Sequence, residues 1–501
     1  MKIDSFYKNS LILTFSNLFT GIIGFVFSII LSRNLGTEGL GLYGLIMPVY
    51  GLLLCLVSDG LITAASKTSA AFWGKKDFRN LSRTMHTVFL FFGTWSILIA
   101  VIVLFNATWI GTTIIKDSRS IMAIRILCPA LVFVSLSAIL KGYFYGISQF
   151  KVAALIDTFE KLIRVVAFLS LLAVFTLSGI QNTVTGAYLA VTFGEGISFI
   201  LLFFFYKLYR KKWKPEVYKR QNRLQLLADI FVITLPLGLE GILSSLFTSA
   251  SILILPRRLM MGGISYSSAL SLIGMFKGMA LTIAFFPMII VFSMSTVLVA
   301  DISLRPVKKN DWATESRIKQ VLRISCLVGI STVIICLCIP DELGRLLYSR
   351  DDLGNYIRFA ALSVLIDYLA MPTIGILNGL GKQNAILINS LIVSIETLIL
   401  IYILTGIPAI HIYGYGIMIM VTGLTLFLLN MHEIQKIFSL FITIRSIFSY
   451  CIVGVLSFIA LMLAYQFFPS SMLALKTVFI TVLGFVLVFG LAKLFIVDDS
   501  N

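Results

Sequence analysis

Fourteen runs of mostly apolar residues, each long enough to cross a bilayer, decide what this chain can become. They begin near residues 9, 41, 84, 121, 152, 184, 228, 266, 321, 354, 385, 412, 447 and 473, and polar residues or Gly/Pro breaks separate them. A spanning helix needs about 20 mostly apolar residues, so fourteen take up about 280. That nearly matches the 58% of 501 residues that is hydrophobic. Only 13% is charged, against roughly 25% in a soluble domain. A soluble enzyme is excluded, and the expected fold is an all-α polytopic membrane protein of about 14 transmembrane helices.

The 40 Lys and Arg exceed the 23 Asp and Glu, a formal charge of +17. In a polytopic protein such an excess collects in cytoplasmic loops, so nucleic acid is not an expected partner. With an inside N-terminus and alternating sides, 29 basic residues fall inside and 11 outside, the outer group including Arg33, Arg257, Arg258 and Lys277. An even number of spans then puts both termini in the cytoplasm of a multi-pass cell-membrane protein. Lys2 and Lys8 precede an apolar run from Leu11 to Leu31 that lacks a cleavage site, so this run is expected to remain as the first span. Three His and six Cys are too few and scattered for a metal or disulfide framework. No cofactor is expected.

The chain also repeats itself. At an offset of 233, IRILCPALVFVSLSAILKGYFYG runs parallel to IRFAALSVLIDYLAMPTIGILNG, with Gly142 on Gly375 and Gly146 on Gly379. At an offset of 224, Arg33-x-Leu35-x-x-x-Gly39 falls on Arg257-x-Leu259-x-x-x-Gly263. Both matches shift by six spans, an even number, so the halves share one orientation in the membrane. This divides the chain into an N-lobe at 1–225 (helices 1–6), a C-lobe at 226–440 (helices 7–12) and a final pair at 441–501 (helices 13–14). The basic stretch KLYRKKWKPEVYKRQNR is the natural hinge between halves.

Several segments resemble the stage V sporulation protein B family: SRNLGTEGLGLYGLIMP after the first span, SDGLITAASK in the second, KGYFYGISQ and TFEKLIRV around the turn from the fourth to the fifth, and LPRRLMMGG after the seventh. That family belongs to the polysaccharide and lipid-linked-precursor exporter superfamily, with the lipid II flippases and the multidrug and toxin extruders. The resemblance implies a transporter of two lobes around a central cavity. Its implied substrate is an undecaprenyl-pyrophosphate-linked peptidoglycan precursor, moved by alternating access in cell-wall or spore-cortex synthesis. It also implies membrane lipid as a partner, cell-wall synthases as candidate partners, and a lipid-tail groove formed by the final helix pair.

A diphosphate substrate needs cations in a wet cavity. Arg33, Arg257 and Arg258 stand at repeat-related outer helix ends; arginines in such positions also snorkel to headgroups. Lys277 lies roughly 16 Å into the eighth span, counted from Tyr266 at about 1.5 Å per residue. Glu240 lies at similar depth in the seventh, as either a gate or a structural partner for Lys277. Glu195, Asp367 and Glu396 are intramembrane carboxylates of the kind that couple transport to an ion. The eighth span, with Gly274, Gly278 and Pro287, is the expected bent gate.

Three transport readings remain open: the peptidoglycan precursor, another lipid-linked polysaccharide repeat unit, and organic cations carried by a multidrug antiporter. The basic cavity mouth speaks against the last. No nucleophile–base pair, phosphate-cradling loop or metal cluster supports an enzyme. Cysteines placed at 207–223 and 305–319 are expected to react with impermeant thiol reagents only from the cytoplasm; labelling from outside would overturn this topology.

Overall fold

The computed structural model describes residues 5–175, 179–211, 221–303, 312–438, 444–467 and 473–495. Parts of the two basic stretches, 212–220 within the expected hinge and 304–311, lie outside the described residues. All regular structure among the described residues is helical. Twelve helical stretches there are long and apolar enough to cross a membrane. The first, Phe15–Gly74, is 60 residues long and holds two crossings. The 26-residue helix Phe150–Phe175 falls outside the twelve because it carries Lys151, Asp157, Glu160, Lys161 and Arg164. With these two additions the count reaches the fourteen that the sequence predicts.

Helix α1 (Ser5–Ser58) contains the first crossing and the start of the second, and its helical geometry breaks at Gly36, where φ is 67°. Only glycine enters this left-handed, extended conformation without steric cost. A second turn at Asp59–Gly60 leads into α2 (Leu61–Gly74). Then come α3 (Phe78–Trp109), α4 (Ile121–Gly146), α5 (Phe150–Phe175), α6 (Ile180–Arg210) and α7 (Arg223–Met261). The eighth crossing is broken into α8 (Tyr266–Ile273), a π-helical stretch at Gly274–Ala280, α9 (Leu281–Phe285) and, after Pro287, α10 (Met288–Ser303). The glycines and proline that mark this span in the sequence sit at its interruptions. The chain continues through α11 (Trp312–Cys338), α12 (Pro340–Tyr348), α13 (Gly354–Val364), α14 (Asp367–Gly379), α15 (Gln383–Leu404), α16 (Tyr413–Gln435), α17 (Ile444–Gln466) and α18 (Leu473–Phe495).

The repeat is visible in the helix boundaries. Helix α4 starts at Ile121 and α13 at Gly354, α5 at Phe150 and α15 at Gln383, α6 at Ile180 and α16 at Tyr413; each pair is 233 residues apart. The ends of α4 at Gly146 and of α14 at Gly379 keep the same spacing. One difference stands out: α4 is continuous, whereas its counterpart breaks between α13 and α14.

The helices form two compact units, Met1–Phe27 with Asn34–Leu253, and Ser28–Arg33 with Ile254–Asn501. In the first, α2, α3, α4 and α6 close over a core that includes Leu61, Leu81, Met85, Tyr143, Phe144 and Leu202. In the second, a core cluster includes Ile318, Ile376, Leu377, Met431 and Ile434. The repeat-related glycines have a packing role in both. A Cβ on Gly142 would lie 2.6 Å from the Ala65 Cβ and 2.7 Å from the Ile62 carbonyl, and one on Gly146 would lie 2.5 Å from the Ser66 carbonyl. On Gly375 it would lie 3.0 Å from Ser295 Cβ. Thus α4 meets α2 at a distance only glycine permits, and α14 meets α10 at one that would crowd any larger residue. In a membrane, where hydrocarbon offers no hydrophobic drive between helices, this close van der Waals contact is a main source of cohesion.

Gly142→Ala is therefore expected to lower the stability of the purified protein by about 1–3 kcal/mol, the usual cost of overpacking. Gly44→Ala, which meets nothing within 4 Å, should stay close to wild type in the same thermal unfolding measurement in detergent.

Candidate functional site

The densest set of charges inside a span belongs to the first unit and is centred on α5. Asp157, Glu160, Lys161 and Arg164 follow one another at three- and four-residue helical spacings, which puts them on one face. The Arg164 guanidinium donates through Nη2 to Glu160 Oε1 at 2.5 Å and to Glu195 Oε1, on α6, at 3.1 Å. Lys161 reaches the other Glu160 oxygen at 2.8 Å, and Lys141 of α4 pairs with Asp157 at 2.5 Å. Three cations thus face three carboxylates. Glu160 has only 4% of its side chain exposed, Arg164 12% and Glu195 16%. Gly194 makes the arrangement possible, since a Cβ there would come within 3.1 Å of Glu160 Oε1. Beside the cluster, Tyr43 stacks on Tyr188 with ring centroids 4.7 Å apart, and the Tyr188 hydroxyl donates to the Tyr43 carbonyl at 2.7 Å.

Of the acids singled out in the sequence, Glu195 joins this cluster. Glu396 of α15 accepts from Thr425 of α16 at 3.0 Å, while its Oε2 is buried without a hydrogen-bond partner. Asp367 begins α14, buried, with Oδ1 against Gly423 of α16. Glu240 lies on the exposed side of α7 in the first unit.

The cations of the second unit occupy three kinds of position. Arg33 donates from Nε to the Leu347 carbonyl at 2.6 Å and from Nη2 to the Leu346 carbonyl. These are among the last carbonyls of α12, the end of a helix where a cation is favoured. At its other end α12 carries Asp341 and Glu342; the first faces Arg358 at 3.7 Å and the second accepts from Tyr465 of α17. The Tyr465 ring in turn lies 3.4 Å from Lys476 Nζ. Arg258 donates to the Tyr402 carbonyl at 2.6 Å and lies over the Tyr402 ring, and the half-buried Arg257 stands next to it. Lys277 is different. It lies half-buried in the π-helical stretch of the eighth crossing, and no hydrogen bond or ion pair reaches it among the described residues of its unit.

Lys141, Lys161 and Arg164 are among the 29 basic residues that a loop-by-loop count assigns to the cytoplasmic side, and neither they nor Asp157 and Glu160 stand among the site residues expected from the sequence. Arg164 is the fifteenth residue of a 26-residue helix, which is far too deep for a loop charge. The signal was present: charges at 157, 160, 161 and 164 share one helical face, and a glycine precedes Glu195.

Broken crossings, helices that recur at a fixed spacing and buried charge at mid-span define the fold of a polytopic membrane protein. Solved structures share that fold. The protein titled "Lipid II flippase MurJ, inward closed conformation" matches 96% of this chain and 98% of its own, with a TM-score of 0.68 and 13% identity. An inward-facing MATE-family multidrug resistance transporter of the MOP superfamily matches 85% of this chain and 98% of its own, with a TM-score of 0.63 and 16% identity. Among curated relatives, stage V sporulation protein B of Bacillus subtilis (strain 168) is 27% identical over 461 residues, 91% of this chain and 89% of that protein. Sporulation protein YkvU of the same organism is 21% identical over 84% of this chain and 93% of its own. The model of the polysaccharide biosynthesis protein family matches residues 6–303. The chain belongs to that family.

Two arginines separate by what they touch. Arg33→Ala should lower stability by about 0.3–1 kcal/mol through loss of a cation at the α12 C-terminus. Arg350→Ala, which removes a partly exposed pair with Asp352 at 2.6 and 2.8 Å and a long contact to the Met275 sulfur, should change the thermal midpoint in detergent less, because solvent-screened pairs contribute little.

Proposed function

We propose that the chain is a flippase that moves an undecaprenyl-pyrophosphate-linked peptidoglycan precursor across the cytoplasmic membrane by alternating access. Both termini then lie in the cytoplasm, 1–225 and 226–440 are the two lobes, and helices 441–501 guide the lipid tail. The reading assigns transport rather than catalysis to the chain. Membership in the polysaccharide biosynthesis protein family supports a lipid-linked sugar as cargo, and the similarity to stage V sporulation protein B supports a cell-wall role, with cell-wall synthases as candidate partners.

The observation that carries the reading is Lys277. A charge in mid-membrane costs at least about 2.5 kcal/mol on insertion scales, and this one sits in the interrupted eighth crossing without a counter-charge in its unit. A diphosphate bound there would supply the missing anion, with Arg33, Arg257 and Arg258 guiding the headgroup and Glu240 a further candidate site residue. Asp367 and Glu396 are the candidate ion-coupling acids of the C-lobe. Another lipid-linked polysaccharide repeat unit would meet the same cations through the same diphosphate, so the sugar head is what rescue experiments must separate.

The test is rescue of cells depleted of their own lipid II flippase, with lipid-linked precursor measured in each leaflet. Wild type should restore growth and clear the inner-leaflet pool. Lys277→Met should insert normally and fail, with diphosphate affinity about 10- to 150-fold weaker, the value of a charge-assisted contact of about 1.5–3 kcal/mol. Lys277→Met with Glu240→Gln should fail equally. Recovery by the double variant would make Lys277 a structural partner of Glu240 and sink its role in binding.

A further inference from the structure

The cluster on α5 is absent from the matching helices of the second repeat. At the offset of 233 that aligns the starts of α4, α5 and α6 with those of α13, α15 and α16, Lys141 corresponds to Ile374, Asp157 to Ser390, Glu160 to Val393, Lys161 to Ser394, Arg164 to Thr397 and Glu195 to Leu428. The second repeat builds the same helices with apolar or hydroxyl residues at all six positions. The fold therefore does not require these charges, and since buried ion pairs seldom add stability over apolar residues of similar size, the first repeat holds them for another purpose.

Compensation within the cluster is unequal. Glu160 has two cations, Lys161 and Arg164. Glu195 has one ion pair, at 3.1 Å, made by the same Arg164 nitrogen that holds Glu160 at 2.5 Å. Two donors here also remain unfilled: Arg164 Nε and the Tyr50 hydroxyl are buried without hydrogen-bond partners, and Tyr50 lies within electrostatic reach of both Glu195 and Arg164. A guanidinium whose Nε is unsatisfied has room for a second acceptor and is suited to bidentate capture of phosphate oxygens.

We infer that Arg164 and Glu195 form a proton–anion exchange site: Glu195 occupies the guanidinium until a phosphate-bearing anion takes it, and the released carboxylate then takes up a proton from water. Glu160 stays ionised on Lys161 and keeps Arg164 in place, and Tyr50 offers its hydroxyl to the arriving oxygen. One negative charge of the arriving anion is thereby matched by the one carboxylate neutralised, and the ligand's remaining charge is left to the other cations of the cluster. The groups that face Glu195 are Glu160, Lys161 and Arg164 from α5, Lys141 from α4 and Tyr50 from α1. The inference rests on the transporter reading and adds to it the coupling ion, the residue that carries it and the group that exchanges with it.

The test uses the full chain in detergent, titrated with undecaprenyl pyrophosphate in weakly buffered solution containing a pH indicator. Wild type should take up protons as ligand binds, and its affinity should fall by up to about tenfold per pH unit above the range in which Glu195 titrates. Glu195→Gln should bind at least as tightly as wild type, with no proton uptake and a flat pH profile, whereas the outer-loop control Asp352→Asn should behave as wild type. Uptake that persists in Glu195→Gln would overturn the inference. So would wild-type binding with no proton uptake, a result that needs no variant to fold and leaves the flippase reading intact. Failure of wild type to bind undecaprenyl pyrophosphate would also overturn it; precursor flipping in proteoliposomes then shows whether the transport reading falls too.

Discussion

Placing an ionised side chain in hydrocarbon is so costly that each such charge needs a partner, a route to water or a ligand, and this constraint organises the charged groups of the chain. The first unit meets it by mutual neutralisation, three cations against three carboxylates on α4, α5 and α6. The second unit meets it with backbone and rings: Arg33 on the last carbonyls of α12, Arg258 on the Tyr402 carbonyl and ring, Lys476 over Tyr465. Lys277 has none of these among the described residues of its unit, and on that the proposed contact with an anionic cargo rests.

The backbone faces the same demand. Hydrocarbon supplies no hydrogen bonds, so breaks in a spanning helix survive only where protein or water takes up the freed groups. The breaks seen here are few and placed at residues suited to them: Gly36 in α1, the π-helical stretch at Gly274–Ala280 with Pro287 in the eighth crossing, and the junction of α13 and α14. The regular helices are held together by close approach instead. Gly142, Gly146 and Gly375 let neighbouring helices meet without intervening side chains, and their recurrence in both repeats reflects one packing solution used twice.

What the repeats do not share is equally informative. The starts of three crossings keep a spacing of 233 residues, yet a six-residue ionic network in one repeat has only apolar and hydroxyl counterparts in the other. A duplicated scaffold thus carries two arrangements, a balanced ionic network in the first unit and, in the second, an intramembrane lysine at 277 with no ion pair among the described residues of that unit.

The sequence by itself determined the number of crossings, their repeat and the break in the eighth. Those features depend on the length and composition of local runs, which hydrocarbon reads one helix at a time. It also picked out Glu195, Lys277 and the outer arginines as chemistry-bearing groups. The partners of those groups were decided only by tertiary structure. That Arg33 caps a helix more than 300 residues away, or that Arg164 bridges Glu160 and Glu195, follows from how helices pack, and a residue count taken from loop to loop placed Arg164 with the cytoplasmic charge instead of deep in α5. Apolar periodicity tells each helix where to lie, whereas a hydrogen bond between helices depends on rotation and crossing geometry that no single run encodes.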